Sequence, residues 1–122
     1  MFDFEKLDLY QILKEQNIKV LYILKEKKFD PYLLDQWKRA TLSAQLNLAE
    51  GTGRMSRQDK RQFYTVARGS VFECVAILDL LHDMQEIPDD VYQDVYAGYE
   101  QVSKMLLAMY RSMSVQNQDR DR

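Results

Sequence analysis

Basic side chains recur at helical spacing between residues 57 and 68. At about 100° per residue, they and one tyrosine fall within roughly one third of a helix circumference. Cations around an aromatic ring suit the phosphates and the stacked bases of a nucleic acid. This basic face is therefore a candidate site for RNA or DNA, although it could equally be solvated or pair with acids of a neighbouring subunit. Its members are Arg57, Lys60, Arg61, Tyr64 and Arg68.

The same helix face becomes apolar and then acidic further along the chain. Apolar residues stand where a solvated helix would be polar, so we expect a partner helix to cover them. Opposite charges at the two ends suit a head-to-tail contact, which closes into a ring when the rotation permits. We therefore expect a ring-like homo-oligomer whose interface includes Val71, Phe72, Val75, Asp79 and Glu86.

A glycine-containing segment, AEGTGRMS at residues 49–56, invites comparison with a phosphate-binding loop. It follows a helical pattern rather than a strand, lacks a third glycine and has no G-K-S/T ending, which argues against that role. We interpret it as a helix stop and restart. Gly51 is the residue type that takes a left-handed cap conformation, and Ser56 with Asp59 resembles the N-terminal cap of the next helix.

Residues for catalysis or metal binding are few. The sequence contains one cysteine, Cys74, and one histidine, His82. No nucleophile–base pair, soft-ligand metal site or Glu-x-x-His pair can be assembled, so we expect neither an enzyme nor a metal or other cofactor. Cys74 lies on an apolar stripe, and a lone cysteine fits a reducing cytoplasm. No stretch of about 18 uninterrupted apolar residues predicts a membrane span.

Composition favours one helical domain. The chain has 122 residues, of which 46% are hydrophobic and 30% charged, with four glycines and two prolines. The net charge of −2 hides an asymmetry, because residues 36–70 hold seven bases and two acids whereas residues 71–122 hold four bases and ten acids. The basic middle and the acidic C-terminal half could bind an anion, or they could bind each other.

Apolar periodicity predicts four helices, at about residues 7–27, 31–51, 57–84 and 89–112. Each of two breaks, FDPY and IPDD, places a proline at the start of the next helix. Short connections predict an all-α, up-down-up-down antiparallel four-helix bundle over residues 1–113. The polar tail, residues 114–122, is expected to be disordered.

Three further patterns predict details of packing. The second helix has one seam at Leu34, Trp37, Thr41, Ala44 and Leu48 and another at Leu42, Leu46 and Ala49. Gly69, within a helix, predicts a close helix crossing. The fourth helix carries a tyrosine stripe, interpreted as a bundle edge with hydrated hydroxyls or, as the alternative, as an interface: Tyr92, Tyr96, Tyr99 and Tyr110.

Residues 40–73 closely resemble the four-helix-bundle family of 23S rRNA intervening-sequence proteins. That family pairs an N-I-A-E-G-x-G-R segment with S-x-x-E-x-x-R-F and A-R-G-S-x-x-E. Two positions depart from its pattern, because Ala44 and Gln45 replace Ile-Pro and Asp59 replaces Glu. The matching residues are Asn47, Ala49, Glu50, Gly51, Gly53, Arg54, Ser56, Arg61, Phe63, Ala67, Arg68, Gly69, Ser70 and Glu73.

The resemblance implies a homopentameric bundle without catalytic activity. A related group serves as accessory proteins of diversity-generating retroelements, where a basic pentamer is thought to bind nucleic acid and the reverse transcriptase. In this sequence that role would fall to Arg39, Arg54, Arg57, Arg61 and Arg68, although a pI near 5.4 opposes strong nucleic-acid binding. The alternative function is a protein–protein interaction scaffold whose basic face serves subunit or partner contacts.

The family motif itself is interpreted as structural. Four of its polar residues, Asn47, Glu50, Ser70 and Glu73, are expected to be buried and to lock helix two against helix three. The complete set of motif residues assigned a structural role is Asn47, Glu50, Gly51, Gly53, Ser56, Gly69, Ser70 and Glu73.

Overall fold

A computed structural model describes residues 1–120, and residues 121 and 122 lie outside the described part. After a short 3-10 helix, Asp3–Lys6, come α1 (Asp8–Glu26), α2 (Pro31–Thr52), α3 (Arg57–Asp83) and α4 (Asp89–Arg120). The prediction of an all-α protein with four helices is confirmed, and residues 1–120 contain no strand. The predicted tail, residues 114–122, is helical as far as Arg120.

Polar caps begin the two central helices where the sequence predicts them. The Asp30 side chain accepts hydrogen bonds from the backbone N–H groups of Tyr32 and Leu33, at 2.9 and 3.2 Å. The Ser56 hydroxyl accepts from the Asp59 backbone N–H at 3.1 Å. These side chains satisfy donors that a helix N-terminus leaves unpaired, which fixes where α2 and α3 start.

Consecutive helices pack against each other, and α1 also packs against α4, so the four surround one core. Its largest member is Trp37, whose Nε1 donates a hydrogen bond to the Tyr99 hydroxyl at 2.8 Å. The interpretation of Tyr99 as an edge tyrosine with a hydrated hydroxyl is wrong, since it is 1% exposed. The indole supplies the partner that its hydroxyl needs away from water.

Two buried polar side chains attach α1 to its neighbours. The Gln16 amide donates to the Val95 carbonyl oxygen of α4 at 2.8 Å, and the Asn17 amide donates to the Thr41 carbonyl oxygen of α2 at 3.0 Å. Gly98 makes room for the first contact, because a Cβ there would collide with the Gln16 amide. Buried amides that reach specific carbonyls help to fix the register of α1.

The glycine segment joins α2 to α3 through close contact rather than a left-handed cap. Gly51 is buried within α2, and a Cβ on it would lie 2.8 Å from both Phe63 Cβ and Tyr64 Cε1 of α3. Gly53 follows the helix with φ of −86°. No glycine in the described residues has a positive φ, so the predicted left-handed conformation of Gly51 is wrong. The residue is instead needed as glycine for the close approach of α3.

Other motif residues depart from their predicted positions. Glu50 and Glu73 are exposed rather than buried, and Gly69 faces open space, with no atom within 4 Å of a Cβ built on it. Of the predicted polar lock, Ser70 is buried and its hydroxyl donates to the Ser43 hydroxyl of α2 at 2.8 Å. Asn47 is half-buried and donates to Ser43 within its own helix.

The second apolar seam of α2 lies mostly at the surface. Leu42 and Leu46 are 58% and 54% exposed, whereas Trp37, Ala44 and Leu48 of the first seam are buried. A helix at the corner of a four-helix bundle fills the core with one stripe only. No helix within residues 1–120 is long and apolar enough to cross a membrane.

Candidate functional site

The aromatic residue of the basic face points into the core. Tyr64 is 2% exposed and its ring packs beside Gly51, so the prediction that it stacks on a base is corrected. Burial also raises the pKa of its hydroxyl. Tyr64 lies at the margin between the basic stripe and the core stripe. Because Gly51 has no side chain, the Tyr64 ring can pack against it in the core.

Three of the predicted cations already have partners within the chain. Lys60 Nζ donates to the Thr52 carbonyl oxygen at 2.8 Å and so caps the C-terminus of α2. Arg39 pairs with Asp35 at 2.8 Å, and Arg54 pairs with Glu50 at 2.7 Å while its guanidinium lies 4.5 Å from the centroid of the Phe63 ring. The Asp35 carboxylate raises the pKa of Arg39, chiefly through that hydrogen bond.

The remaining arginines, Arg57, Arg61 and Arg68, are half-buried along the outer side of α3. Among residues 1–113, whose side chains the structure describes, no carboxylate lies within 4.0 Å of their side-chain nitrogens. The Arg61 guanidinium lies 5.9 Å from the Tyr110 ring centroid, and that of Arg68 lies 4.6 Å from the Phe72 ring centroid. Arg68 Nε also makes a long, 3.4 Å contact with the Ser103 carbonyl oxygen of α4.

An open groove of about 670 Å³ runs between α3 and α4, and Arg68 is the one of these three arginines that lines it. Phe72, which is 52% exposed, and half-buried Val75 form its apolar α3 wall. Val71 is fully buried at 0% exposure and belongs to the core beneath, so its predicted place on an outer interface is corrected. We call this feature the α3–α4 groove.

The far end of the groove is acidic. Asp79 lines it, and Glu86 is exposed in the connection between α3 and α4. His82 is half-buried beside it, with Nε2 at 2.6 Å from an Asp89 carboxylate oxygen and its ring stacked 4.0 Å from that of Tyr92. The structure thus places the predicted basic, apolar and acidic regions in that order along one side of α3.

The opposite wall of the groove comes from α4, whose tyrosines the sequence placed at an interface only as an alternative and did not include among the site residues. It contains Tyr96, which is 39% exposed, together with Tyr92, Glu100, Ser103 and Lys104. The sequence signal for this wall is the tyrosine stripe of α4, because exposed aromatic rings are often covered by a partner. Tyrosine combines contact area with a polar hydroxyl, which suits the rim of an interface.

Cys74 is buried on the inner side of α3, as its position on the apolar stripe predicts. Burial raises the pKa of its thiol to about 11, and its sulfur lies 3.8 Å from the Thr41 hydroxyl. A thiol with that pKa is protonated at neutral pH and is a poor nucleophile. No group of three or more potential metal ligands occurs within the described residues.

Comparisons with known proteins agree with this architecture. A crystal structure of a protein with unknown function from the S23 ribosomal protein family of Bacteroides thetaiotaomicron VPI-5482 is similar to this chain, with a TM-score of 0.79 and 20% sequence identity over 84% of this chain and 97% of that one. At that identity the likeness shows the fold alone. No curated protein matches the chain. The pattern of the 23S rRNA-intervening sequence proteins matches residues 5–108, and the chain belongs to that family.

Proposed function

We propose that this protein is a non-catalytic scaffold that works as a homo-oligomer and associates through the α3–α4 groove. The observation that carries the proposal is the exposure of Phe72, with 52% of its surface in solvent at the centre of the groove. Phe72 contributes little to the core of its own bundle. An aromatic side chain in an apolar groove is a common anchor of protein interfaces.

The surroundings of Phe72 support the same proposal. Val75 and Tyr96 extend the apolar surface to both sides, and the Arg68 guanidinium lies over the Phe72 ring. An apolar centre with charged ends resembles the core and rim of an interface. A monomer would leave this surface in water, at a cost of roughly 25 cal/mol for each Å² of apolar area.

Sedimentation velocity across a concentration series tests the proposal. We expect the wild type to sediment as an oligomer of the 14.5 kDa chain and the Phe72→Asp variant to sediment as a monomer. Leu80→Asp is the matched control, since Leu80 is 47% exposed on the same helix but does not line the groove. A wild type that stays monomeric at its highest soluble concentration, or a Phe72→Asp variant that still assembles, would overturn the proposal.

A second candidate function is binding of RNA or DNA by the basic end of α3. It is favoured by one observation: within residues 1–113, no carboxylate lies within ion-pair distance of Arg57, Arg61 or Arg68. The burial of Tyr64 and the capping bond of Lys60 reduce this basic face, so the expected affinity is modest.

Fluorescence anisotropy with labelled RNA and DNA separates the two functions. If about three phosphates are contacted, the logarithm of the binding constant should fall by roughly 2 to 3 per tenfold increase in salt. An Arg57→Ala/Arg61→Ala variant should lose this binding and still assemble, because neither residue lines the apolar part of the groove. Binding that is absent, or that does not respond to salt, would exclude the nucleic-acid candidate.

A further inference from the structure

We infer that the α3–α4 groove is filled by the outer stripe of α2 from a second copy of this chain, running antiparallel to α3. The inference rests on the proposed self-association and names the face that enters the groove. The outer stripe of α2 is defined as Arg39, Leu42, Leu46 and Glu50.

The outer stripe of α2 has the composition of an uncovered helix interface. Its centre is Leu42 and Leu46, both more than half exposed. At about 100° per residue, all four members of the stripe fall within one quarter of the helix circumference, opposite the buried seam of Trp37 and Leu48. Along the chain the stripe is basic at Arg39, apolar at the leucines and acidic at Glu50.

The groove wall on α3 has the same order of chemistry. It is basic at Arg68, apolar at Phe72 and Val75, and acidic at Asp79. Two helices with the same order place opposite charges together only when they run antiparallel. Parallel packing would instead bring arginine to arginine and carboxylate to carboxylate, which like-charge repulsion disfavours.

Aligning one residue of α2 with one residue of α3 fixes the register of the two helices, because both rise by about 1.5 Å per residue. Opposing Leu46 to Phe72 brings Glu50, four residues later, opposite Arg68, four residues earlier. It also brings Arg39 opposite Asp79, each seven residues away in the other direction. One hydrophobic pairing therefore produces two ion pairs with no further adjustment.

The remaining members of the two stripes are compatible with this register. Leu42 falls beside Val75 and Ala76, which line the groove. Asp35 falls opposite Asp83, the one unfavourable pair, but Arg39 Nε lies 2.8 Å from the Asp35 carboxylate and offsets its charge. Both acids are exposed near helix ends, where water weakens their repulsion.

The symmetry of the contact follows from the bundle itself. Consecutive helices α2 and α3 are antiparallel within one copy, so α2 of one copy is also antiparallel to α3 of the next when both copies point the same way. The stripe and the groove lie on different faces, so each copy offers one of each. Such a head-to-tail contact forms a ring when its rotation closes.

A mixing experiment tests which faces meet. Leu46→Asp disables the stripe and leaves the groove, whereas Phe72→Asp disables the groove and leaves the stripe. We expect each variant alone to sediment as a monomer and an equimolar mixture to form a 1:1 complex. A mixture that stays monomeric would overturn the inference, because a groove-to-groove contact cannot be complemented in this way. Tyr22→Asp, at a 60% exposed residue of α1, is the control and should assemble as the wild type does.

Charge reversal tests the register. Glu50→Arg and Arg68→Glu should each weaken assembly about tenfold or more, since each places like charges together. The double variant should recover to within about threefold of the wild type. Glu50 also pairs with Arg54 in its own chain, so the coupling between the two changes is the quantity to compare. No recovery in the double variant would overturn the register.

The outcomes separate this inference from the proposed function. A monomeric wild type contradicts both. Assembly that is lost in Phe72→Asp but kept in Leu46→Asp supports the groove as an interface and overturns the α2 stripe as its occupant. Circular dichroism of each variant should show unchanged helicity, because every substituted side chain is exposed or half-buried.

Discussion

Both sides of α3 carry apolar side chains, but only the inner side is buried. On the inner side, Val71 is 0% exposed and packs in the core with Tyr64 and Cys74. On the outer side, the next residue, Phe72, is 52% exposed in the α3–α4 groove. The larger apolar side chain is thus the one left in solvent. Hydrophobicity alone does not decide which face a bundle buries.

The difference shows that the buried face of α3 is the one whose side chains pack closely against α2. Gly51 and Ser43 of α2 contact Tyr64 and Ser70 on the inner side of α3, so small groups allow the two helices to approach closely. The outer side faces a space between α3 and α4 that no segment of the described chain fills. We therefore regard the inner face as the source of stability and the outer face as the surface available to a partner.

The largest expected effect on stability comes from an aspartate on the inner side of α3, compared with an aspartate on its outer side. Val71→Asp should lower the free energy of unfolding by about 3–5 kcal/mol, a large part of the total for a small domain, because it buries an unpaired carboxylate. Phe72→Asp should change the stability of the dissociated chain by no more than about 0.5 kcal/mol. Urea unfolding followed by circular dichroism at low protein concentration measures both. Equal losses would contradict the assignment of the two faces.

A smaller loss is expected where α2 contacts the inner face. Gly51→Val should cost about 2–3 kcal/mol, because its Cβ would lie 2.8 Å from Phe63 and Tyr64 atoms and force the helices apart. Gly69→Ala is the matched control on the outer side, where nothing lies within 4 Å, and it should raise stability by about 0.5–1 kcal/mol. Thermal unfolding of both variants tests the contrast, which would fail if Gly69→Ala were the more damaging.

The smallest effect is a pH dependence from the inner face. Burial raises the pKa of the Cys74 thiol from 9.0 to about 11, so its contribution is fully present below pH 9 and is lost as the pH rises through 11. The expected loss is up to about 2 kcal/mol. Burial also raises the pKa of Tyr99, so ionisation of its hydroxyl adds to the loss of stability at alkaline pH. Urea unfolding of Cys74→Ala between pH 8 and 11 should show a shallower decline, and an unchanged slope would contradict this account.

Local chemistry made much of the fold predictable. Asp30, Pro31 and Ser56 mark helix starts through hydrogen bonds made within a few residues, so the sequence indicates them directly. The buried seam of α2 around Trp37 was predictable in the same way from its spacing. Helical periodicity also identified the outer side of α3 as apolar beyond its basic part.

Several residues of the candidate site could not be placed from spacing alone. Tyr64 lies close to the boundary between two stripes, and the space beside Gly51 decides that it turns inward. Lys60 leaves the basic face because carbonyl groups at the end of α2 come within reach. Tyr99 is buried because Trp37, far away in sequence, supplies a hydrogen-bond donor.

The sequence by itself determined the helices, their caps, the inert environment of the single cysteine and the order of charge along α3, since each depends on residues within a few turns. Only the tertiary structure decided which of the two apolar seams of α2 faces the core, which cations are paired within the chain and where a groove stays open. These outcomes depend on side chains that other helices bring into contact. The open groove beside Phe72 is the clearest example, because α3 and α4 form it together.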